Sequence, residues 1–248
     1  MVDVFEEVEG QIRAERYRTL LFRLLPWVLG VGAAVLIAYL AWEGWNHWTR
    51  SQADKASETF VAAMNAGRQG DETGAFSLLG QVAKSPSRGY AALALMQQGG
   101  MRIEAGKTAE GVKLFDEAAR VAPDPMLGDL ARLKSALALL DTASYKDLEG
   151  RLKPLMEEKR PYRMEAREAL AFAKLMAGRP AEARGDFLFL SQVLGASEGM
   201  RQRAGAAMAL IDSGSAAAIP AAVKAAQALP PPGPMTPGAP QAQQEAVQ

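Results

Sequence analysis

Hydrophobic positions fall into two regimes along the chain. From Leu24 to Trp42 they form one uncharged run, LLPWVLGVGAAVLIAYLAW, bounded by Arg23 and Glu43. Beyond about residue 50 they recur at three- and four-residue spacing within segments of helical length, the period of amphipathic helices. This pattern predicts helices over 52–67, 71–84, 89–105, 107–121, 126–141, 144–158, 162–177, 180–194, 197–212 and 216–228. The breaks between them carry turn chemistry: Gly70, Ser85-Pro86-Ser87, Gly106, Pro123-Asp124-Pro125, Thr142, Arg160-Pro161, Gly178-Arg179-Pro180, Gly195 and Ser213-Gly214. Turns this short imply antiparallel helix pairs packed side by side. No segment alternates as a half-buried strand does, so the expected fold is all-α: an N-terminal transmembrane helix followed by a helical-hairpin solenoid.

The nineteen residues of the uncharged run reach roughly 28 Å at 1.5 Å per residue, close to the ~30 Å hydrocarbon core of a bilayer. Pro26 is expected in its first turn, where a missing N–H costs little. All four tryptophans stand at its ends: Trp27 on one side, and Trp42, Trp45 and Trp48, joined by Tyr39, on the other. Aromatic belts of this kind sit at headgroup level. A cleaved signal would need a shorter apolar stretch near the start and a small-x-small site, whereas the bulky AWEGWNHW comes next here. The short N-terminal flank carries Arg13, Arg16, Arg18 and Arg23, against Arg50 and Lys55 beyond the run. By the positive-inside rule the N-terminus is cytoplasmic and the remainder lies across the membrane. Gly30, Ala34 and Ala38 form a small-residue stripe that lets a second helix approach. Val4, Val8 and Ile12, four residues apart, suggest a short amphipathic helix ahead of the anchor. The organisation expected is a cytoplasmic amphipathic N-terminus over 1–23, an anchor over 24–45, a repeat domain over 46–229 and a tail over 230–248. The tail, PPPGPMTPGAPQAQQEAVQ from Pro230, lacks apolar periodicity and predicts disorder.

Gly70, Gly106, Gly178 and Gly214 stand on a comb spaced by 36 residues, with Thr142 at the missing tooth. Five positions after the first, second and fourth teeth come the small residues Ala75, Gly111 and Ala183; nine positions after come Leu79, Phe115 and Phe187. Small residues let paired helices approach, and the large ones fill the space between pairs.

The Gly106 unit resembles a tetratricopeptide repeat, with Gly99, Gly106, Gly111, Phe115, Ala118 and Pro123 at that pattern's places. The Gly178 unit keeps Ala171, Ala183 and Phe187 but has Leu190 and Gly195 at the last two places. The middle unit departs, because Lys153-Pro154 interrupts its second helix. The layout over residues 4–215 is similar to the YfgM-like ancillary subunits of the bacterial Sec translocon: VFEEVEGQIRAERYRTLLFR, one anchor ending in aromatics, then degenerate repeats. That resemblance implies the bacterial inner membrane and a periplasmic repeat domain. It also implies partnership with the translocon and a periplasmic chaperone in handling newly exported polypeptides. The Pro-rich tail is a departure.

A solenoid offers a concave face lined by first helices. Carrying the repeat register over, that face takes Leu93, Met96, Ile103 and Glu104, then Asp129, Arg132, Ala136 and Leu139, then Glu165, Glu168, Phe172, Leu175 and Met176. An apolar groove with methionine suits varied extended segments, while several of the same residues would serve equally as core between repeats.

Composition removes other classes. Lys+Arg and Asp+Glu are both 28, so no basic excess points to nucleic acid. Without cysteine there is neither a disulfide framework nor a thiolate metal site. The single histidine, His47 in GWNHWTR, reads as an interfacial polar residue, and the adjacent Glu157 and Glu158 point about 100° apart on a helix and cannot flank one atom. No catalytic, metal or cofactor motif is present, and no small-molecule substrate is expected. The expected function is a membrane-anchored protein-binding scaffold at the export machinery; the alternative is an anchored adaptor in envelope assembly or cell division. An apolar groove favours the first, and a groove of conjugate charges the second.

Overall fold

The computed structural model describes residues 3–228, with side chains at 27, 29–226 and 228. The tail expected over 230–248 lies outside the described residues, as do the side chains of the N-terminal segment 1–23. Among the described residues the chain is all-α and forms two compact units, Met1–Tyr90 and Ala91–Gln248.

In the first unit α1 (Asp3–Arg68) is a single helix of 66 residues, about 99 Å long at 1.5 Å per residue. The helix predicted over 52–67 is its C-terminal end. Pro26, expected in a first turn, lies in its interior, where the missing N–H removes one i−4 bond. Nothing between Glu43 and Ser51 breaks the helix: Gly44 costs roughly 1 kcal/mol against alanine, too little to end so long a run. After Gly70, α2 (Glu72–Ala83) packs back on the end of α1. Asp71 caps it, accepting a 2.8 Å hydrogen bond from the Gly74 N–H.

The second unit begins within α3 (Arg88–Glu104) and continues through α4 (Thr108–Val121), α5 (Pro125–Ala138), α6 (Tyr145–Leu152), α7 (Arg163–Met176), α8 (Pro180–Gln192), α9 (Glu198–Asp212) and α10 (Ile219–Gln227). The teeth of the glycine comb lie at helix ends in both units. Gly70, Gly106, Gly178 and Gly214 have φ of +84°, +73°, +70° and +75°, a left-handed conformation that a side chain would strain. The first, second and fourth teeth close with a six-to-one bond: Asp71 N–H to Ala66 C=O (3.0 Å), Lys107 to Arg102 (2.8 Å) and Arg179 to Lys174 (2.9 Å). At these three teeth the next helix starts two residues after its glycine, which turns the sequence spacing into a spatial register.

Seven positions before the teeth stand Ala63, Gly99, Ser135, Ala171 and Ala207, all buried. In the α3–α4 pair a Cβ at Gly99 would meet the Phe115 ring at 2.7 Å, and one at Gly111 would meet the Gly99 carbonyl oxygen at 2.8 Å. The helices touch backbone to backbone because both residues lack side chains. The α7–α8 pair repeats the device with Ala171, Ala183 and a fully buried Phe187.

The middle unit keeps the device one residue out of step. Thr142 is not left-handed, α6 starts at Tyr145, and Leu148 and Leu152 take the buried places. The helix predicted over 144–158 ends at Leu152, and a 3₁₀ turn (Lys153–Met156) puts Pro154 in its own first turn while Leu155 stays buried. Polar pins join neighbouring hairpins. Asp129 is fully buried and accepts from Arg132 (2.8 Å) on α5 and from Arg160 (3.2 Å) before α7. Asp116 on α4 accepts from Ser135 (2.6 Å) on α5 and from Arg151 (2.9 Å) on α6.

Three substitutions test this packing by urea unfolding followed by circular dichroism. Phe187→Ala is expected to cost about 3–5 kcal/mol. Gly111→Ala, whose new methyl meets backbone, is expected to cost about 1–3 kcal/mol. Gly100→Ala, on the open side of α3, is expected to stabilise by about 0.5–1 kcal/mol.

Candidate functional site

The central helix of the second unit, α7, buries Ala166, Glu168, Ala169, Leu170, Ala171, Ala173 and Leu175. One of its stripes, Glu168, Phe172, Leu175 and Met176 at three- and four-residue spacing, faces α9. There an apolar cavity of about 390 Å³ opens, of a size that holds a few large side chains. Phe172, Leu175 and Met176 form one wall, Ala206, Ala207 and Leu210 of α9 the second, and Ile219 and Val223 of α10 the third; Leu140 and Asp141 close the end. The depth comes from Ala206 and Ala207, which leave unfilled the space a larger residue would occupy.

One end of this groove is polar. Arg203 donates from Nε to Glu168 Oε1 (2.8 Å) and from Nη2 to Oε2 (2.9 Å), a bidentate pair that ties α9 to α7 across 35 residues of sequence. The carboxylate is nearly buried, and its hydrogen bonds hold the Arg203 guanidinium above its ordinary pKa. A second pair, Arg184 to Asp212 (2.7 Å), fastens α8 to α9 at the surface and holds the Asp212 carboxyl below the usual range. That contact contributes fully above the usual carboxylate range and is lost as pH falls through the depressed value.

Of the residues expected to line a concave face, the fold brings Phe172, Leu175 and Met176 together. Phe172 also stacks edge-on against Phe187, with centroids 5.1 Å apart, and so serves core and groove at once. Ile103 lies against Gly111 within the α3–α4 pair, Met96 is buried, and Leu139 packs in the core between α5, α6 and α7. Leu93 is half-buried, and Arg132 is exposed and ion-paired with Asp129. Sequence reasoning counted three first helices and missed the fourth, α9, with Arg203 and Leu210, together with Ile219 and Val223 of α10. The signal was present, since Gly214 is a tooth and Ala207 stands seven positions before it.

In the first unit the described apolar side chains of α1 between Trp27 and Trp42 are exposed, whereas Ala56 and Ala63 near its end are buried. Trp27 is 75 % exposed, and Leu29, Val31, Val35, Leu36, Ile37 and Leu40 are all exposed. At about 100° per residue the large side chains from Leu29 to Leu40 spread over roughly two thirds of the helix circumference, and Gly30, Ala34, Ala38 and Ala41 share the remaining sector with Trp27. Trp27, Gly30, Val31 and Ala34 frame a shallow cleft on that side. Tyr39 and Trp42 (6.3 Å), then Trp45 and Trp48 (5.6 Å), pair along the other end. Among the described residues no single helix is long and apolar enough to cross a membrane; of the run 24–42, only positions 27 and 29–42 have described side chains. Among the described residues no three His, Cys, Asp or Glu side chains cluster as a metal site would need.

A family model described as a tetratricopeptide repeat-like domain matches residues 25–192. No curated protein and no solved structure matches the chain.

The Glu168–Arg203 pair sets a measurable expectation. Arg203→Ala leaves a nearly buried carboxylate without its partner and is expected to cost about 1–3 kcal/mol in thermal unfolding. Adding Glu168→Gln should recover part of that loss, and the non-additivity measures the coupling between α7 and α9.

Proposed function

The chain belongs to the tetratricopeptide repeat-like domain family, and from that premise we propose that it is a membrane-anchored protein-binding scaffold, an ancillary subunit of the bacterial Sec translocon that assists newly exported proteins together with a periplasmic chaperone. Repeat domains of this family are interaction scaffolds, so the partners are proteins and the reading is non-catalytic. The observation that carries it is the apolar cavity between α7, α9 and α10, in which Phe172 and Met176 face the small residues of α9. Its walls are aliphatic and aromatic, with Arg203 and Asp141 at the margin. Such walls favour an unfolded or hydrophobic segment over a charged motif, and so favour the export reading over the adaptor.

The anchor rests on α1. A helix that exposes large apolar side chains around most of its circumference needs a solvent other than water, and a bilayer supplies one. Arginines concentrated before the run orient it with the N-terminus in the cytoplasm and the repeat units in the periplasm. Because α1 does not break after Trp48, it carries α2 as a rigid extension of the anchor. The aromatic side chains at 39–48 mark where headgroups meet the helix.

Two measurements check this reading. Protease added to spheroplasts is expected to digest the chain beyond about residue 50, and protection of that part would reverse the topology. The full chain in lipid nanodiscs is expected to bind fluorescent apolar peptides with a Kd on the order of 1–100 μM. Met176→Glu, at the half-buried last turn of α7, should abolish that binding with little change in melting temperature. Retained binding would move recognition away from this groove.

A further inference from the structure

The last hairpin does not close like the others. Five and nine positions after the tooth, the other regular units carry a small then a large residue; after Gly214 these places hold Ile219 and Val223. Isoleucine at the small position keeps the second helix from lying against Ala207 of the first, as Ala183 lies against Ala171 in the preceding pair. The turn differs too. No six-to-one bond closes Gly214, a 3₁₀ turn (Ser215–Ala218) intervenes, and the chain bends by 93° between α9 and the helical stretch Ser215–Ala226. With its own partner denied to it, α10 reaches α7, three helices back, and sets Ile219 and Val223 opposite Phe172 and Met176.

Its seat there is poor. No residue of α10 with a described side chain is fully buried; Ile219, Pro220 and Val223 are half-buried, and Ala221, Ala222, Lys224, Ala225 and Ala226 are exposed. Between it and the wall behind it lies the unfilled apolar space of about 390 Å³. A helix held over a void forfeits the contacts that a filling side chain would make.

From this geometry we infer that α10 is a built-in, weakly held occupant of the groove, displaced about the Ser213–Gly214 hinge by an incoming apolar segment with larger side chains than its own. The inference rests on the reading of this groove as the protein-binding site and names what competes there. An incoming leucine- or phenylalanine-bearing helix fills the space that Ile219 and Val223 leave, and the chain's own helix supplies the threshold it must exceed. Apparent affinity is then the intrinsic affinity scaled by the fraction of molecules with α10 undocked.

The absence of native cysteine makes the test clean. The probe is a fluorescent amphipathic peptide of leucine, phenylalanine and lysine, and the protein is the full chain in nanodiscs. Val223→Asp, which expels α10 from the apolar wall, is expected to tighten peptide binding about tenfold if α10 is docked about nine-tenths of the time. A Met176→Cys/Val223→Cys variant joined by a cleavable bis-maleimide should lose binding and regain it on cleavage. Spin labels at the same two positions should report a longer, broader distance when the peptide binds. If wild type and Val223→Asp bind equally and the linked variant binds as well as either, α10 is a structural cap and the inference falls while the groove reading stands. A lowered melting temperature in Val223→Asp with no gain in affinity has the same meaning. Binding by neither protein overturns both.

Discussion

Two helices can lie against one another only where the facing side chains are small enough to let them. In this chain that condition is met at fixed distances from a left-handed glycine. Seven residues before it a small residue on the first helix is buried, and five residues after it a small residue on the second helix meets the first. Gly99 and Gly111 take the condition to its limit, with the Phe115 ring and the Ile103 side chain laid directly over bare backbone. The glycine turn sets the phase: three of the four glycine teeth close with the same six-to-one bond, and the next helix begins after the same number of residues. A hairpin built this way buries one side and leaves another open, which the next hairpin covers.

Departures from the condition decide the rest of the second unit. The middle hairpin has no left-handed tooth, so its second helix starts a residue late, and leucines one place further on restore the buried face. Pro154 is accommodated by ending the helix before it. The last hairpin has isoleucine where the pairing needs a small residue, and its second helix is displaced onto α7, where a groove rather than a core results. Site and scaffold therefore have one origin: the groove is what remains where the pairing rule is not obeyed.

Apolar contact sets how close the helices lie but says little about the order in which hairpins stack. Directional contacts supply that. The buried Asp129 carboxylate is held by guanidinium groups from α5 and from the segment before α7, Asp116 draws together α4, α5 and α6, and Glu168 draws Arg203 of α9 to α7. The Asp129 and Glu168 carboxylates would cost free energy to bury alone, so an arrangement that separates them from their partners is disfavoured. In the first unit the constraint is continuity of backbone instead, since α1 has no break between its apolar segment and the part that pairs with α2.

Among the described residues, periodicity, turn residues and the glycine comb by themselves determined the helix count after Gly70, the all-α class and the small and large positions of the regular hairpins, because these depend on local backbone geometry and on the size of single residues. The apolar run and its aromatic ends were equally legible, being properties of adjacent residues. Which apolar residues form a groove was decided only by the tertiary structure. Met96, Ile103, Leu139, Phe172 and Met176 look alike in sequence, yet Met96 is buried, Ile103 and Leu139 turn to neighbouring helices, and the last two meet a fourth hairpin that fails to close. That failure is readable as Ile219 in a small-residue place, but its destination is not, because a helix excluded from its own partner goes wherever apolar surface is left uncovered.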